Sequence, residues 1–287
     1  MNRVILLFAA LCAASFANAQ DYESNLDRIA ATGEFRIGFV PDAPPLSFID
    51  NDGNPVGYSI DLCRRIASGI RDELGLDNIE ITFTPLVSMQ ERLSAVEERR
   101  VDIECGATTV TLARRERVDF TLMTFITGST VLSRRSDGVN SVGDLDGKRI
   151  AVISGTTTED TIREFVDINE FDIEIRFIAT HDEGMELLNR GRVDGYASDR
   201  AMLLGQVFRS ENAAEEYTML STVLSFEPYA MVVPRGDSRF RLSADRALAE
   251  LYRSAGIRRL YDRWFTRFGE PLSPIVEAMY QFQAVGE

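Results

Sequence analysis

The chain carries RVDIECGATT at residues 100–109 and RVDGYASD at 192–199. Both begin Arg-Val-Asp, both follow an amphipathic stretch, and both lead into a short strand-like segment. Working outward from the first, FRIGFV (35–40) and IEITFTPL (79–86) read as strands. IDLCRRIASGIRDEL (60–74) reads as a helix, with Cys63, Ile66, Ala67, Ile70 and Leu74 on one face. SMQERLSAVEER (88–99) is a second helix, opened by Ser88 and Glu91 at capping-box spacing. Ahead of the second motif, KRIAVI (148–153) and IEIRFI (173–178) are strands. SGTTTEDTIREFV and THDEGMELLNRG turn into helices, with Thr156–Glu159 and Thr180–Glu183 at the same spacing. Two β/α units of one plan predict an α/β chain of two lobes, each a mostly parallel sheet with helices packed on it.

Two extended runs lie outside the repeated units. TLMTFITGSTVLS (121–133) follows the first unit and FEPYAMVV (226–233) follows the second. If both cross between lobes, they form a hinge with a cleft beside it. The expected division is 20–124 with 225–287 as lobe 1, and 125–224 as lobe 2. The helices read from FRLSADRALAELYRSA and GIRRLYDRWFTRFG then pack back on lobe 1.

The bulk composition narrows the classes. The 287 residues are 45% hydrophobic and 26% charged, enough for a packed core. A formal charge of −14 argues against nucleic acid as a partner. The opening MNRVILLFAALCAASFANA reads as an export signal cut after Ala19, which predicts a periplasmic protein; a lipid-anchored Cys12 fits its flanking residues poorly. Cys63 and Cys105 remain after that cut. An oxidising compartment favours a disulfide between them, while two buried thiols are the alternative, since Cys63 sits on an apolar stripe. One histidine gives a Ser-His-Asp triad or a multi-histidine metal site little to work with, so no catalytic residue, metal or cofactor is expected.

In open α/β sheets ligands bind beyond the carboxyl ends of the strands. That rule selects the turns at Ser88–Arg92 and Gly106–Arg114 in the first unit. In the second it selects Ser154–Thr158, Thr180–His181 and Ser198–Asp199. Gly106 allows close backbone approach, and Thr108 and Thr109 offer donors. Arg114 offers a planar fork that matches a carboxylate. Ser154-Gly155-Thr156-Thr157 opens a helix whose free N–H groups attract anions. Asp199 supplies the opposite sign. A molecule with both a carboxylate and an ammonium is an α-amino acid. Phe48 is a candidate apolar wall.

The exported start, DLC, VDIECGATT, Thr111-x-x-Arg114, SGTTTE, RVDGYASD and RRLYDRWF resemble the solute-binding family of polar amino acid ABC transporters over essentially the whole mature chain. The likeness is to the glutamate/aspartate-binding branch in particular, and it implies the type II periplasmic binding protein fold. It implies that Arg114, Thr109 and Thr157 hold the ligand's α-carboxylate, while Asp199 and the carbonyl of Ala107 hold its ammonium. Arg92 and His181 would contact a side-chain carboxylate, and a protonated His181 would make affinity fall as pH rises. The branch tends to carry an arginine where this chain has Val40, and serines where it has Met89 and Ala107. Glutamine and asparagine are therefore expected as further ligands. The implied partners are an amino acid and membrane permease subunits, with the protein itself a monomer. Two rivals stand beside this. One is an enzyme on the same fold, of the cyclohexadienyl or arogenate dehydratase type. The other is a sensor module, which would need an output domain or membrane span that the sequence lacks.

Overall fold

The structure, a computed structural model, describes residues 22–210, 214–266 and 269–286. The proposed export signal, its cut after Ala19 and Cys12 lie outside the described residues. Helix α1 (Asn25–Thr32) leads into strand β1 (Glu34–Phe39) and a small antiparallel sheet of β2 (Asp42–Ala43), β3 (Ser47–Ile49) and β4 (Pro55–Val56). Helix α2 (Tyr58–Glu73), β5 (Glu80–Pro85), α3 (Met89–Glu97), β6 (Ile103–Glu104) and α4 (Leu112–Arg115) complete the first unit. The long strand β7 (Val118–Arg134) then carries the chain away.

The second unit runs β8 (Arg149–Ile153), α5 (Thr157–Asn169), β9 (Glu174–Ile178), α6 (His181–Asn189), β10 (Gly195–Asp199), α7 (Arg200–Arg209) and β11 (Tyr217–Met219). Strand β12 (Ser225–Pro234) returns, followed by α8 (Ser238–Arg253), α9 (Gly256–Phe265) and α10 (Pro274–Gln283).

The sheets of the two lobes are continuous. Their order is β5-β1-β6-β12-β7-β10-β8-β9, with β11 on β7. The pairs β1/β5, β1/β6, β8/β9 and β8/β10 are parallel, while β12 runs antiparallel to β7 from Ser225↔Ser129 to Pro234↔Val118. Both extended runs thus form a two-stranded ribbon shared by both lobes.

The repeated Arg-Val-Asp does the same work twice. Asp102 accepts the backbone N–H of Arg36 at 2.7 Å and its guanidinium at 3.0 Å. Asp194 accepts the N–H of Arg149 at 2.9 Å and its guanidinium at 2.7 Å. Each aspartate locks the strand it opens onto the first strand of its own unit. Each predicted capping box also forms its first half: Ser88, Thr156 and Thr180 accept from the N–H groups of Glu91, Glu159 and Glu183. The three glutamates bond back to Val87, Gly155 and Ala179, one residue short of the cap.

Register shifts interrupt the ribbon near Tyr229, Ala230 and Val232. There the backbone of β7 finds side-chain partners instead. Asp245 accepts from Leu122 N–H at 2.7 Å. The Gln283 amide pairs both the N–H and the carbonyl of Met123, at 2.7 and 3.0 Å. Tyr58 donates to Thr124 O at 3.0 Å. These contacts explain why the C-terminal helices return to the first lobe, including α10, which was not anticipated from the sequence.

Cys63 and Cys105 are bonded, with their Cα atoms 6.3 Å apart. The bridge fixes the end of β6 to α2 immediately before the Gly106–Thr109 turn.

Candidate functional site

One cleft lies between the lobes at the strand ends that the sequence selects. Ala107, Thr109, Arg92 and Arg114 line it from one side, and Thr157, His181 and Asp199 from the other. Ser88 and Phe48, both expected at the site, are not among its lining residues. Ser88 is exposed and spends its hydroxyl on the cap of α3. Phe48 packs edge-on against Trp264, ring centroids 5.8 Å apart, and is a core residue.

The lobes are in contact across the cleft. Asp42 accepts the N–H of His181 at 2.7 Å, and its own carbonyl accepts from the Gln206 amide at 2.6 Å. A Cβ on Gly205 would lie 2.0 Å from the carbonyl oxygen of Pro44, so glycine is what allows α7 to approach that loop.

The anion grip is built differently from the expectation. Arg114 is buried and donates to the carbonyl of Thr109 at 2.8 Å, which holds the guanidinium over the turn. Burial lowers its pKa to about 10, so it stays charged at neutral pH. The hydroxyls of Thr109 and Thr157 both donate to one oxygen of Glu227, at 2.6 and 2.7 Å. Thr108 donates to Glu104 at 2.8 Å. A hydroxyl has one hydrogen to give, so these three are committed. The backbone remains. Thr109 pairs with Tyr229 in the pattern where Val110 N–H bonds Pro228 and Ala230 N–H bonds Thr108, which leaves Thr109 N–H outside the ladder. Thr157 is the first residue of α5, where N–H groups have no intrahelical acceptor.

Gly106 has a different reason from the one expected. A Cβ there would meet the Glu104 carboxylate at 2.2 Å. The glycine makes room for a buried acid, not for a ligand.

Asp199 retains partial exposure as a residue, yet its Oδ1 is fully enclosed and without a partner in the chain. The other oxygen accepts from the Tyr229 hydroxyl. Burial first, and the nearby Glu227 second, push its pKa up to about 7. Such an oxygen has strong demand for a donor.

Arg92 is buried, lies 3.7 Å from the Glu104 carboxylate, and has an enclosed Nε without an acceptor. Burial drives the Glu104 carboxyl up, with Arg92 opposing. His181 Nδ1 lies 2.5 Å from the Tyr196 hydroxyl. Burial lowers the histidine's pKa, outweighing the neighbouring Asp42. Where the Tyr196 hydroxyl donates to it, Nδ1 is the acceptor. The neutral ring then carries its proton on Nε2. In that tautomer a neutral His181 offers the cleft a donor, and burial works against the protonated ring that a fall of affinity with rising pH requires.

Sequence reasoning missed Asp42, Glu104 and Glu227 as site residues. The signal for Glu227 was a lone charge inside an apolar hinge strand. For Asp42 it was an acid in the loop after the first strand. Among the described residues the enclosed side-chain atoms without a hydrogen-bond partner are Arg92 Nε, Glu104 Oε1 and Asp199 Oδ1; Arg92 and Asp199 line the cleft, and Glu104 lies behind Arg92 at 3.7 Å.

Two hinged α/β lobes enclosing a cleft with buried cations and a buried acid define a protein that closes around a small charged ligand. The chain belongs to the bacterial extracellular solute-binding proteins, family 3, whose family model matches residues 35–267. An L-glutamate/L-aspartate-binding protein of Pseudomonas aeruginosa is 30% identical, over 93% of this chain and 87% of that one. A glutamate/glutamine/aspartate/asparagine-binding protein of Rhodobacter capsulatus is 28% identical, over 81% of this chain and 68% of that one. Among solved structures, an ancestral amino acid-binding protein, a precursor of cyclohexadienyl dehydratase, matches with TM-score 0.71 and 25% identity, over 84% of this chain and 99% of that one.

Proposed function

We propose that this protein is the extracytoplasmic receptor of an ABC amino acid importer. It encloses glutamate or aspartate, with their amides as weaker ligands, and delivers it to the membrane permease. The observation that carries this reading is the pair of enclosed, unpartnered atoms of opposite type, the acceptor Asp199 Oδ1 and the donor Arg92 Nε, on facing lobes of one cleft. Asp199 and the Ala107 carbonyl take the α-ammonium. Arg114 and the N–H groups of Thr109 and Thr157 take the α-carboxylate. Arg92 and the Nε2–H of His181 take the side-chain oxygens. Lobe 1 comprises residues 20–124 and 225–287, lobe 2 residues 125–224, and β7 and β12 bend between them. Closure is favoured by ligand because the grip is complete only with both lobes present. The protein acts as a periplasmic monomer after removal of its signal.

Calorimetric titration of protein stripped of ligand by unfolding and refolding tests this. Tight binding of glutamate or aspartate, lost in Arg114→Ala, is expected. Binding of glutamine alone would overturn the roles of Arg92 and His181. The dehydratase-type alternative predicts conversion of a cyclohexadiene acid into an aromatic product; the receptor returns its ligand unchanged.

A further inference from the structure

Glu227 is 1% exposed and lies on the return strand of the hinge, outside the residues that line the cleft. One carboxylate oxygen accepts from Thr109 of the first lobe at 2.6 Å and from Thr157 of the second at 2.7 Å; the other accepts from Ser225. We propose that Glu227 is a positioning residue for ligand capture, an internal latch that fixes the two anion-binding turns at the spacing where their N–H groups reach one ligand carboxylate. This rests on the amino acid receptor reading above.

Two features support the assignment. The threonine hydroxyls lie 3.4 Å apart although their turns belong to different lobes, so one acceptor sets the distance between the turns. Hydrogen bonds to a charged acceptor are the stronger kind, and a buried carboxylate deprived of a donor is costly, so parting the lobes opposes both. The charge has a second use. The negative charge of Glu227 works against burial and the neighbouring Arg92, which both favour loss of the proton from Arg114.

The test is a double-mutant cycle on ligand affinity with Glu227→Ala, Thr157→Val and both together. Each single change should weaken glutamate binding at least about tenfold, chiefly through faster dissociation, since the latch acts in the closed state. The double variant should be no weaker than the worse single within about twofold, because both remove one interaction. Additive losses would overturn the latch. Should Glu227→Ala fail to fold, Thr157→Val, which keeps the shape of the side chain, still decides: wild-type affinity in that variant overturns it. Glu227→Gln adds a readout that a purely structural role would not move. It should lower the pH midpoint of binding, because the Glu227 charge helps to hold Asp199 in its protonated form. An unmoved midpoint counts against the proposal. Wild-type protein that binds none of the acidic amino acids or their amides would refute the receptor reading and this proposal with it. Wild-type binding with unaffected variants would refute the latch alone.

Discussion

Raising the pH from 5 to 8 should tighten amino acid binding, through Asp199. Its carboxyl is held at about 7 by burial and by Glu227, against the pull of Tyr229, Arg114 and Thr158. A ligand ammonium beside it favours the ionised form, so its pKa in the complex lies below that in the free protein. The sign follows from linkage. A ligand that prefers the ionised form binds more tightly as pH rises, until the free protein is fully ionised. Two units below 7, about 1% of the free protein is ionised, so affinity at pH 5 should be about 100-fold below its high-pH limit. At pH 7 the deficit should be about twofold, with about half a proton released per ligand bound. Calorimetry in paired buffers of different ionisation enthalpy reads both quantities. Asp199→Asn should flatten the profile at weak affinity. An affinity that is constant or falls between pH 5 and 8 would refute the reasoning, and a fall would restore a protonated His181.

Further outcomes follow from other parts of the molecule. Arg92→Met should weaken glutamate by about 1.5–3 kcal/mol, the worth of a charge-assisted hydrogen bond, and glutamine by less; titration with both ligands gives the difference. Gly205→Ala places a methyl 2.0 Å from the Pro44 carbonyl. It should weaken ligand while leaving unfolding of the free protein nearly unchanged, with small-angle scattering showing lobes that stay apart. Replacing Cys63 and Cys105 by serine releases a bridge spanning 42 residues. Loop closure puts the loss at about 4 kcal/mol, measurable as a shift of the urea midpoint.

The fold was legible because its signals are local or repeated. The two Arg-Val-Asp motifs, three Ser/Thr…Glu caps and alternating strands need no knowledge of distant contacts. The hinge strands were legible from their β-branched runs. Helix α10 was within reach, since Ser273 and Pro274 are good opening residues, but nothing local says that Gln283 will complete the backbone of Met123. The site divides the same way. Arg92, Arg114, Thr109, Thr157, His181 and Asp199 follow from strand-end placement. What each atom does depends on partners that are distant in sequence: Glu227, 70 and 118 residues away, takes the threonine hydroxyls, and Tyr196, 15 residues away, meets Nδ1 of the buried His181. Phe48 and Ser88 lie outside the lining, one against the Trp264 ring and the other on a helix cap.

The shared ribbon also bears on how such a molecule can be recombined. The chain leaves along β7 and returns along β12 on adjacent rungs, where Ser129 and Ser225 are register partners with hydroxyls 2.7 Å apart. The second lobe is therefore a cassette whose two covalent ends meet at a single point. A relative's segment between those serines can be spliced in through two joins that face each other, carrying its own half of the pocket. Ligand preference can then be traded one half at a time, with Arg92 and Arg114 kept while His181 and Asp199 are exchanged.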